Sequence, residues 1–295
     1  MVDQALSIPL APRSRWLIAL QRGGPRLWLG GALVILLVLV ALLAPLLAPH
    51  DPLDQDLLSA QLPPAWIKGG ERTYWLGTDS LGRCVLSRLI FAARTAVEVA
   101  FIAAALAAAI GILLGLMAGS FGGWVDQCIS RLIDVWMAFP PVLLSIVLAA
   151  VIGAGLTSVI VAIVVVDWTR FARVIRAETQ AQLQRDYASA ARAIGLARGQ
   201  ILRLEILPNL IPLIMTLLAV EMGIAILVEM VLSFVGISVA GDTPTWGGMI
   251  AEGRQIVYQA PWIMALPIGC VVLSVIGFNL LGDGLRVALD PVQRR

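Results

Sequence analysis

Five carboxylates lie within or near long apolar stretches of this 295-residue sequence, and they have the clearest capacity for chemistry. They are Glu98, Asp134, Asp167, Glu221 and Glu229. A carboxylate in hydrocarbon costs about 3 kcal/mol or more, so each is expected to face protein or water. Such groups either line a polar passage or form structural hydrogen bonds between helices. Asp167 also has Arg170 one turn away as an ion-pair partner.

Glu221 and Glu229 lie deepest in their apolar stretch, and for them both interpretations stay open. Eight helical positions place them roughly 12 Å apart along the axis and about 80° apart around it. One broad helix face can therefore present both carboxylates to a water-filled passage, where they would favour cationic cargo. The other three carboxylates lie near the ends of apolar stretches, which favours structural bonds or contact with water.

The residue inventory excludes most catalytic and metal-binding chemistry. His50 is the only histidine, and the three cysteines, Cys84, Cys128 and Cys270, are far apart. The sequence therefore has no histidine metal cluster, no CxxC pair, and no HExxH or GxSxG motif. A Walker A motif needs Gly-Lys-Ser/Thr, but Lys68, the only lysine, is followed by glycine. The sequence predicts no catalytic residue, no metal site and no cofactor in this chain.

The composition is that of a polytopic membrane protein. Hydrophobic residues make up 59% of the sequence and charged residues only 14%, and the net charge of +2 gives no indication of nucleic-acid binding. Six apolar stretches are predicted to cross the bilayer. They cover residues 29–47, 96–117, 132–151, 157–171, 209–239 and 263–281. The pair Pro140-Pro141 is expected to kink the third stretch.

The distribution of arginine predicts that both chain ends are cytoplasmic. The predicted segments are a cytoplasmic tail at 1–28, a transmembrane domain at 29–291 and a short tail at 292–295. Within the domain, residues 48–94 and 241–262 are expected outside and residues 176–208 inside. Arg83, Arg88 and Arg94 disagree with this charge rule because they lie in the first outer loop, although the rule weakens for long loops.

The longest polar interruption of the second half, residues 185–208, is predicted to form two short helices around a glycine corner. A small amphipathic face recurs at helical spacing and comprises Tyr187, Ala190, Ala191 and Ile194. Gly195 follows where helices end with a left-handed residue, so we predict a positive φ there. The second helix is expected to stop before Pro208. An interfacial amphipathic helix of an unrelated membrane protein is the plainer alternative.

This interruption resembles the EAA loop of ABC-importer permeases, whose pattern combines Glu-Ala-Ala, a glycine and Leu-Pro. The matching positions are Ala190, Ala191, Gly195, Leu207 and Pro208. Ser189 replaces the glutamate of the pattern, and Glu205 stands where the pattern has isoleucine. In that family the loop is the coupling helix, which docks into a groove of the ATPase subunit. The resemblance therefore implies that these positions and Tyr187 couple to an ATPase, with the two alanines at the close contact.

Further motifs resemble the second permease subunit of dipeptide, oligopeptide and nickel importers, the DppC/OppC-like branch. They are APHDP at 48–52, LGTDSLGRCVLSRLIFAAR at 76–94, FARVIRAE at 171–178, LSFVGIS at 232–238, PTWGGMIAEGR at 244–254 and FNLLGDGLRVALDP at 278–291. The similarity covers nearly the whole chain, from about residue 29 to residue 291. Cys84 departs from it, because the pattern carries aspartate there.

The resemblance implies an all-α, six-helix protein with the type I ABC importer permease fold, in the bacterial inner membrane. It implies as partners a paralogous permease, two ATPase subunits that carry ATP and Mg, an external substrate-binding protein and membrane lipid. The chain would form half of the translocation pathway and would not be an enzyme. The expected cargo is a di- or oligopeptide, with nickel, a metal chelate or glutathione as alternatives. A secondary transporter is the alternative of another class, but it usually shows internal repeats, and none is found.

Overall fold

A computed structural model describes residues 23–238 and 243–289, and its regular structure there is helical apart from one isolated bridge between Thr78 and Cys84. In chain order the helices are α1 (Gly24–Leu42), α2 (Ala44–Leu47), α3 (Val85–Phe121), α4 (Gly123–Met137), α5 (Pro141–Ile152), α6 (Leu156–Leu183), α7 (Asp186–Ala193), α8 (Arg198–Ile201), α9 (Leu207–Phe234), α10 (Trp246–Gln255) and α11 (Trp262–Leu289). A 3₁₀ turn covers Leu57–Ser59 and a π-turn covers Leu202–Ile206. Most of the predicted N-terminal tail, all of the tail at 292–295 and part of the second outer loop lie outside the described residues.

The bundle has two ends that differ in their loops. We call the end with residues 48–84 and α10 the loop end, and the end with residues 184–206 the knob end. The first loop is shorter than the predicted 48–94, because α3 already begins at Val85. Helix α10 is seated on α3, since Trp246 Nε1 donates to the Leu89 carbonyl at 3.2 Å and Thr95 Oγ1 to the Pro244 carbonyl at 3.2 Å.

Helices α3 and α6 pack more closely against each other than any other pair of described helices. The buried face of α3 is lined with alanine, and Gly111, Gly115 and Gly119 recur on it every fourth residue. A Cβ on any of the three would overlap atoms of α6, so the backbones approach as closely as only glycine permits. Close packing of small residues thus fixes the position of α6, which leads into residues 184–206. We call these residues the knob.

Helices α4 and α5 form the broken third stretch. They meet at an angle of 87° across Ala138–Pro140, which confirms the kink predicted for Pro140-Pro141. The two prolines lack the N–H groups that would continue the helix. Helix α4 runs along α6, where Trp136 Nε1 donates to the Val165 carbonyl at 2.6 Å.

Length and composition of the described helices support fewer membrane spans than the six predicted from the sequence. Within residues 23–238 and 243–289, four helical segments are long and apolar enough to cross a membrane, and counting the bent pair α4–α5 as one span makes five. Helix α6 does not qualify, because Asp167, Arg170 and Arg173 follow an apolar part of only 156–166. That part rises about 17 Å, against a hydrocarbon core of about 30 Å. The six-span count is therefore not confirmed by this criterion.

Candidate functional site

The knob is a helix closed by a glycine corner, as the sequence predicts. Gly195 has φ +89°, which confirms the predicted positive value. The N–H of Gly195 donates to the Arg192 carbonyl at 3.0 Å and that of Leu196 to the Ala191 carbonyl at 3.1 Å. These two bonds are those of a Schellman motif, which satisfies the last carbonyls of α7. A side chain at Gly195 would meet no atom within 4 Å, so the backbone conformation alone requires glycine.

The prediction that the second short helix stops before Pro208 is wrong. Helix α8 passes through the π-turn into α9, so one continuous helical segment runs from Arg198 to Phe234. The wider π-turn comes directly before the proline, where an α-helical carbonyl would meet the proline ring. Asn209 Nδ2 donates to the Glu205 carbonyl at 2.7 Å and satisfies one of the carbonyls of this turn. The knob is therefore joined rigidly to a long helix of the bundle.

The predicted coupling residues divide into a buried and an exposed set. Ala191 is buried, and Tyr187 and Leu207 are half-buried against the same apolar cluster, which includes Ile175 and Ile206. These three side chains hold the knob to the ends of α6 and α9. The close contact predicted between Ala191 and a partner stays a prediction, and within this chain the Ala191 side chain faces the chain's own apolar cluster.

The exposed set covers the tip of the knob. It comprises Ala190 and Gly195, together with Ser189, Ala193 and Ile194; Pro208 is also exposed, but it lies in the first turn of α9. Ile194 is 80% exposed, and an isoleucine on such a small-residue surface fits a contact with another protein. Arg192 braces this surface, since its Nη2 donates to the Leu183 carbonyl at 3.1 Å and to Ser189 Oγ at 3.0 Å.

Tyr187 connects the knob to α6. Its hydroxyl donates to Gln182 Oε1, and burial raises the pKa of the phenol above its usual range. Gln182 Nε2 in turn donates to Glu178 Oε1 at 2.7 Å. A chain of polar contacts thus runs from α7 back along α6.

The two candidate pathway carboxylates are both buried inside the bundle. Glu221 is 3% exposed and Glu229 is 1% exposed. Ser233 Oγ donates to Glu229 Oε1 at 2.5 Å, a bond within α9. The role of these residues in a pathway stays a prediction, and their burial favours the structural alternative.

Glu221 belongs to a group that we call the mid-bundle triad, with Asp167 and Arg170. Arg170 Nη2 lies 3.5 Å from Asp167 Oδ1, so the pairing predicted for adjacent turns is confirmed. Arg170 Nη1 lies 3.6 Å from Glu221 Oε2, which connects α6 to α9. Glu221 Oε1 has no hydrogen-bond partner among the described residues. Two buried carboxylates therefore share one guanidinium at distances beyond a good hydrogen bond.

The remaining carboxylates of the apolar stretches are exposed. Glu98 lies on an exposed face of α3, and Asp134 Oδ1 lies 3.7 Å from Arg173 Nη2 with both side chains more than half exposed. Contact with water or a weak ion pair thus accounts for both, in line with the structural alternative.

The sequence prediction missed an ion cluster at the loop end, which comprises Asp79, Arg83, Arg88 and Glu252. Asp79 is fully buried and accepts from Arg83 Nε at 2.7 Å and from Arg88 Nη1. Glu252 of α10 accepts from Arg88 at 2.6 and 3.0 Å and from Arg83 Nη2 at 3.0 Å. The cluster joins two motifs, at 76–94 and 244–254, that are far apart in sequence. The signal available was Arg83 and Arg88, which are two of the three arginines that disagree with the charge rule.

Comparisons with known proteins agree with this architecture. The family model described as binding-protein-dependent transport system inner membrane component matches residues 111–295, and the N-terminal TM domain of oligopeptide transport permease C matches residues 25–64. A chain of the inward-facing MetNI methionine ABC transporter superposes with a TM-score of 0.56 at 19% identity, covering 68% of this chain and 96% of that one. This likeness shows the fold.

Curated relatives are similar over most of their length. The dipeptide transport system permease protein DppC of Haemophilus influenzae is 39% identical over 89% of each chain. The di/tripeptide permease protein DppC of Pseudomonas aeruginosa is 39% identical over 89% of this chain and 87% of its own. The glutathione transport system permease protein GsiD of Shigella dysenteriae is 39% identical over 88% of this chain and 84% of its own.

These matches confirm the predicted resemblance and the all-helical importer-permease fold, and they remove the secondary transporter from consideration. The chain is a multi-pass membrane component of a transporter complex rather than an enzyme. It belongs to the binding-protein-dependent transport system inner membrane component family, as an ABC-importer permease.

Proposed function

We propose that this chain forms one half of the translocation pathway of an ATP-driven importer of di- or oligopeptides, in the inner membrane of a bacterium. Its partners are a paralogous permease, two ATPase subunits that bind ATP and Mg, and an external substrate-binding protein. The peptide assignment rests on relatives named for dipeptides and di/tripeptides at 35–39% identity. Glutathione, itself a tripeptide, is the second candidate, because GsiD relatives reach the same 39% identity.

The knob is the observation that supports ATPase coupling most strongly. It offers a small-residue tip with one exposed isoleucine, it is closed by a Schellman motif, and it continues without a break into α9. A displacement of this tip by the ATPase is transmitted to α9 and, through the contacts of Tyr187 and Arg192, to α6. We place the knob end in the cytoplasm and the loop end outside, with both chain ends cytoplasmic, as the arginine distribution predicts.

A matched pair of glycine substitutions tests this coupling role. Gly195→Ala is expected to strain the corner by roughly 1 kcal/mol and to lower uptake per ATP hydrolysed by about tenfold. Gly199→Ala is the control, because Gly199 has an ordinary helical conformation and open space around it. The measurement is peptide uptake and ATP hydrolysis by the whole transporter in proteoliposomes. Equal coupling in the two variants would remove the corner from the transmission route.

A second substitution tests whether the buried carboxylates serve the pathway. Glu229→Gln removes the charge but keeps an acceptor for the Ser233 hydroxyl. Because Glu229 is buried in its own chain, we expect uptake within about twofold of wild type and an unchanged thermal unfolding midpoint. A tenfold loss of uptake in a complex that still assembles would instead assign the charge to transport.

A further inference from the structure

At the knob end, a groove with a volume of about 460 Å³ lies between α6, α9 and α11. Its walls carry two opposite charges, Glu178 on α6 and Arg286 on α11, with polar and apolar side chains of α9 between them. The α9 side chains are Asn209, Pro212, Leu213, Thr216 and Leu217. The volume falls in the range of sites for small molecules.

The charges of the groove are separate rather than paired. Neither Glu178 nor Arg286 forms an ion pair with any residue in the described ranges. Glu178 is half-buried and is oriented by the 2.7 Å bond from Gln182 Nε2. Arg286 is exposed and presents a planar guanidinium, which binds carboxylates in a bidentate way.

A carboxylate and a guanidinium that line one groove without meeting suit a ligand that carries both an ammonium and a carboxylate. A free peptide has this pattern near neutral pH, because its amino end is protonated and its carboxyl end ionised. Leu213 and Leu217 supply an apolar wall for its side chains. We propose that this groove binds the zwitterionic peptide product after transport, an inference that rests on the proposed peptide cargo and on the cytoplasmic placement of the knob end.

The position of the groove gives such binding a consequence for transport. Gln182, which holds Glu178, also accepts the hydroxyl of Tyr187 on the coupling helix α7. A peptide held between Glu178 and Arg286 joins α6 to α11 directly beside this contact. Accumulated product therefore restrains the knob and slows further import.

The first test is binding of radiolabelled Ala-Ala to the whole complex without the binding protein, in nanodiscs of phosphatidylglycerol. We expect saturable binding that weakens at least tenfold in Glu178→Gln and in Arg286→Gln. N-acetyl-Ala-Ala and Ala-Ala amide, which each lack one charge, should bind at least tenfold more weakly than Ala-Ala. Asp283→Asn is the control, since Asp283 is an exposed charge one turn from Arg286 that does not line the groove.

Three outcomes would overturn the inference: no saturable binding, equal binding of the capped peptides, or equal binding by the groove variants. A phosphatidylethanolamine headgroup also carries an ammonium and an anion, so a second arm replaces half of the lipid with it. An unchanged affinity for Ala-Ala supports a peptide site, whereas displacement that depends on Glu178 would assign the groove to lipid and overturn the proposal.

A transport measurement separates this inference from the proposed function. Proteoliposomes loaded with Ala-Ala inside should take up labelled peptide more slowly than empty ones, and Arg286→Gln should abolish the difference. If wild type imports no peptide with any binding protein, the proposed cargo is wrong. If it imports peptide but internal Ala-Ala has no effect, the function stands and the product site is wrong.

Discussion

Two ion clusters in this chain hold carboxylates and arginines inside the protein, but they differ in charge balance and in contact distances. The loop-end cluster has two arginines and two carboxylates, so its charges balance. Arg88 contacts Asp79, and the other contacts between the four side chains lie between 2.6 and 3.0 Å. The mid-bundle triad has two carboxylates and one arginine, with contacts of 3.5 and 3.6 Å. Both connect segments that are far apart in sequence. Every carboxylate oxygen of the first cluster accepts a hydrogen bond, although Arg88 Nε has no partner among the described residues, whereas Glu221 Oε1 of the triad accepts none there.

The difference follows from the surroundings of each cluster. Asp79 also accepts the backbone N–H groups of Leu81 at 2.9 Å and Arg83 at 3.0 Å, so the loop itself is built around this carboxylate. Glu221 instead leaves one oxygen without a partner in the described part of the chain. A buried pair stabilises a fold only when its geometry and remaining hydrogen bonds are good. The loop end is therefore a rigid clamp, whereas the triad contributes little net stability and restrains α6 and α9 only loosely.

The largest effect is expected at the clamp. Arg88→Met leaves Asp79 and Glu252 with only Arg83 as a cation, so we expect a loss of about 3–5 kcal/mol of stability. The measurement is the thermal unfolding midpoint of the purified complex, with the yield of assembled complex as a second readout. Arg94→Met, at an exposed position of the same helix, should change stability by less than about 0.5 kcal/mol. Similar midpoints for the two variants would show that the clamp is dispensable.

The same chemical change at the two clusters should have different effects. Glu252→Gln breaks a balanced cluster and is expected to cost about 1–3 kcal/mol. Glu221→Gln keeps the size of a side chain whose Oε1 has no partner among the described residues, so it is expected to cost less than about 0.5 kcal/mol, or to stabilise the chain. Thermal unfolding of both variants in one detergent measures the contrast. A larger loss of stability for Glu221→Gln than for Glu252→Gln would show that the triad, and not the loop-end cluster, is the rigid clamp.

The smallest effect is expected for an exposed pair. Asp134 and Arg173 lie 3.7 Å apart with both side chains more than half exposed, so water screens their attraction. Asp134→Asn should therefore shift stability by less than about 0.5 kcal/mol at any salt concentration. A loss comparable to that of Glu252→Gln would mean that burial does not rank these ion pairs.

The arginines that disagree with the charge rule indicated an unusual segment in the sequence, but they did not identify all of their partners. Arg83 and Arg88 disagree with the rule because they form ion pairs with buried carboxylates at the loop end, which is a structural role. Sequence spacing placed Asp79 near both arginines, but Glu252 follows some 160 residues later. No local periodicity predicts a partner at such a distance.

The sequence by itself determined the features that depend on local backbone chemistry and on composition. Apolar stretches gave an all-helical membrane protein, Pro140-Pro141 gave the sharp bend, and Gly195 gave the left-handed corner, because each depends on covalent geometry or solvation of nearby residues. Tertiary structure decided which side of a helix faces its own chain. It turned Ala191 inward and Ala190 outward, and it buried Glu221 and Glu229. It also carried α9 through Pro208 by a π-turn, because packing of the knob against neighbouring helices outweighs a local helix-stop signal.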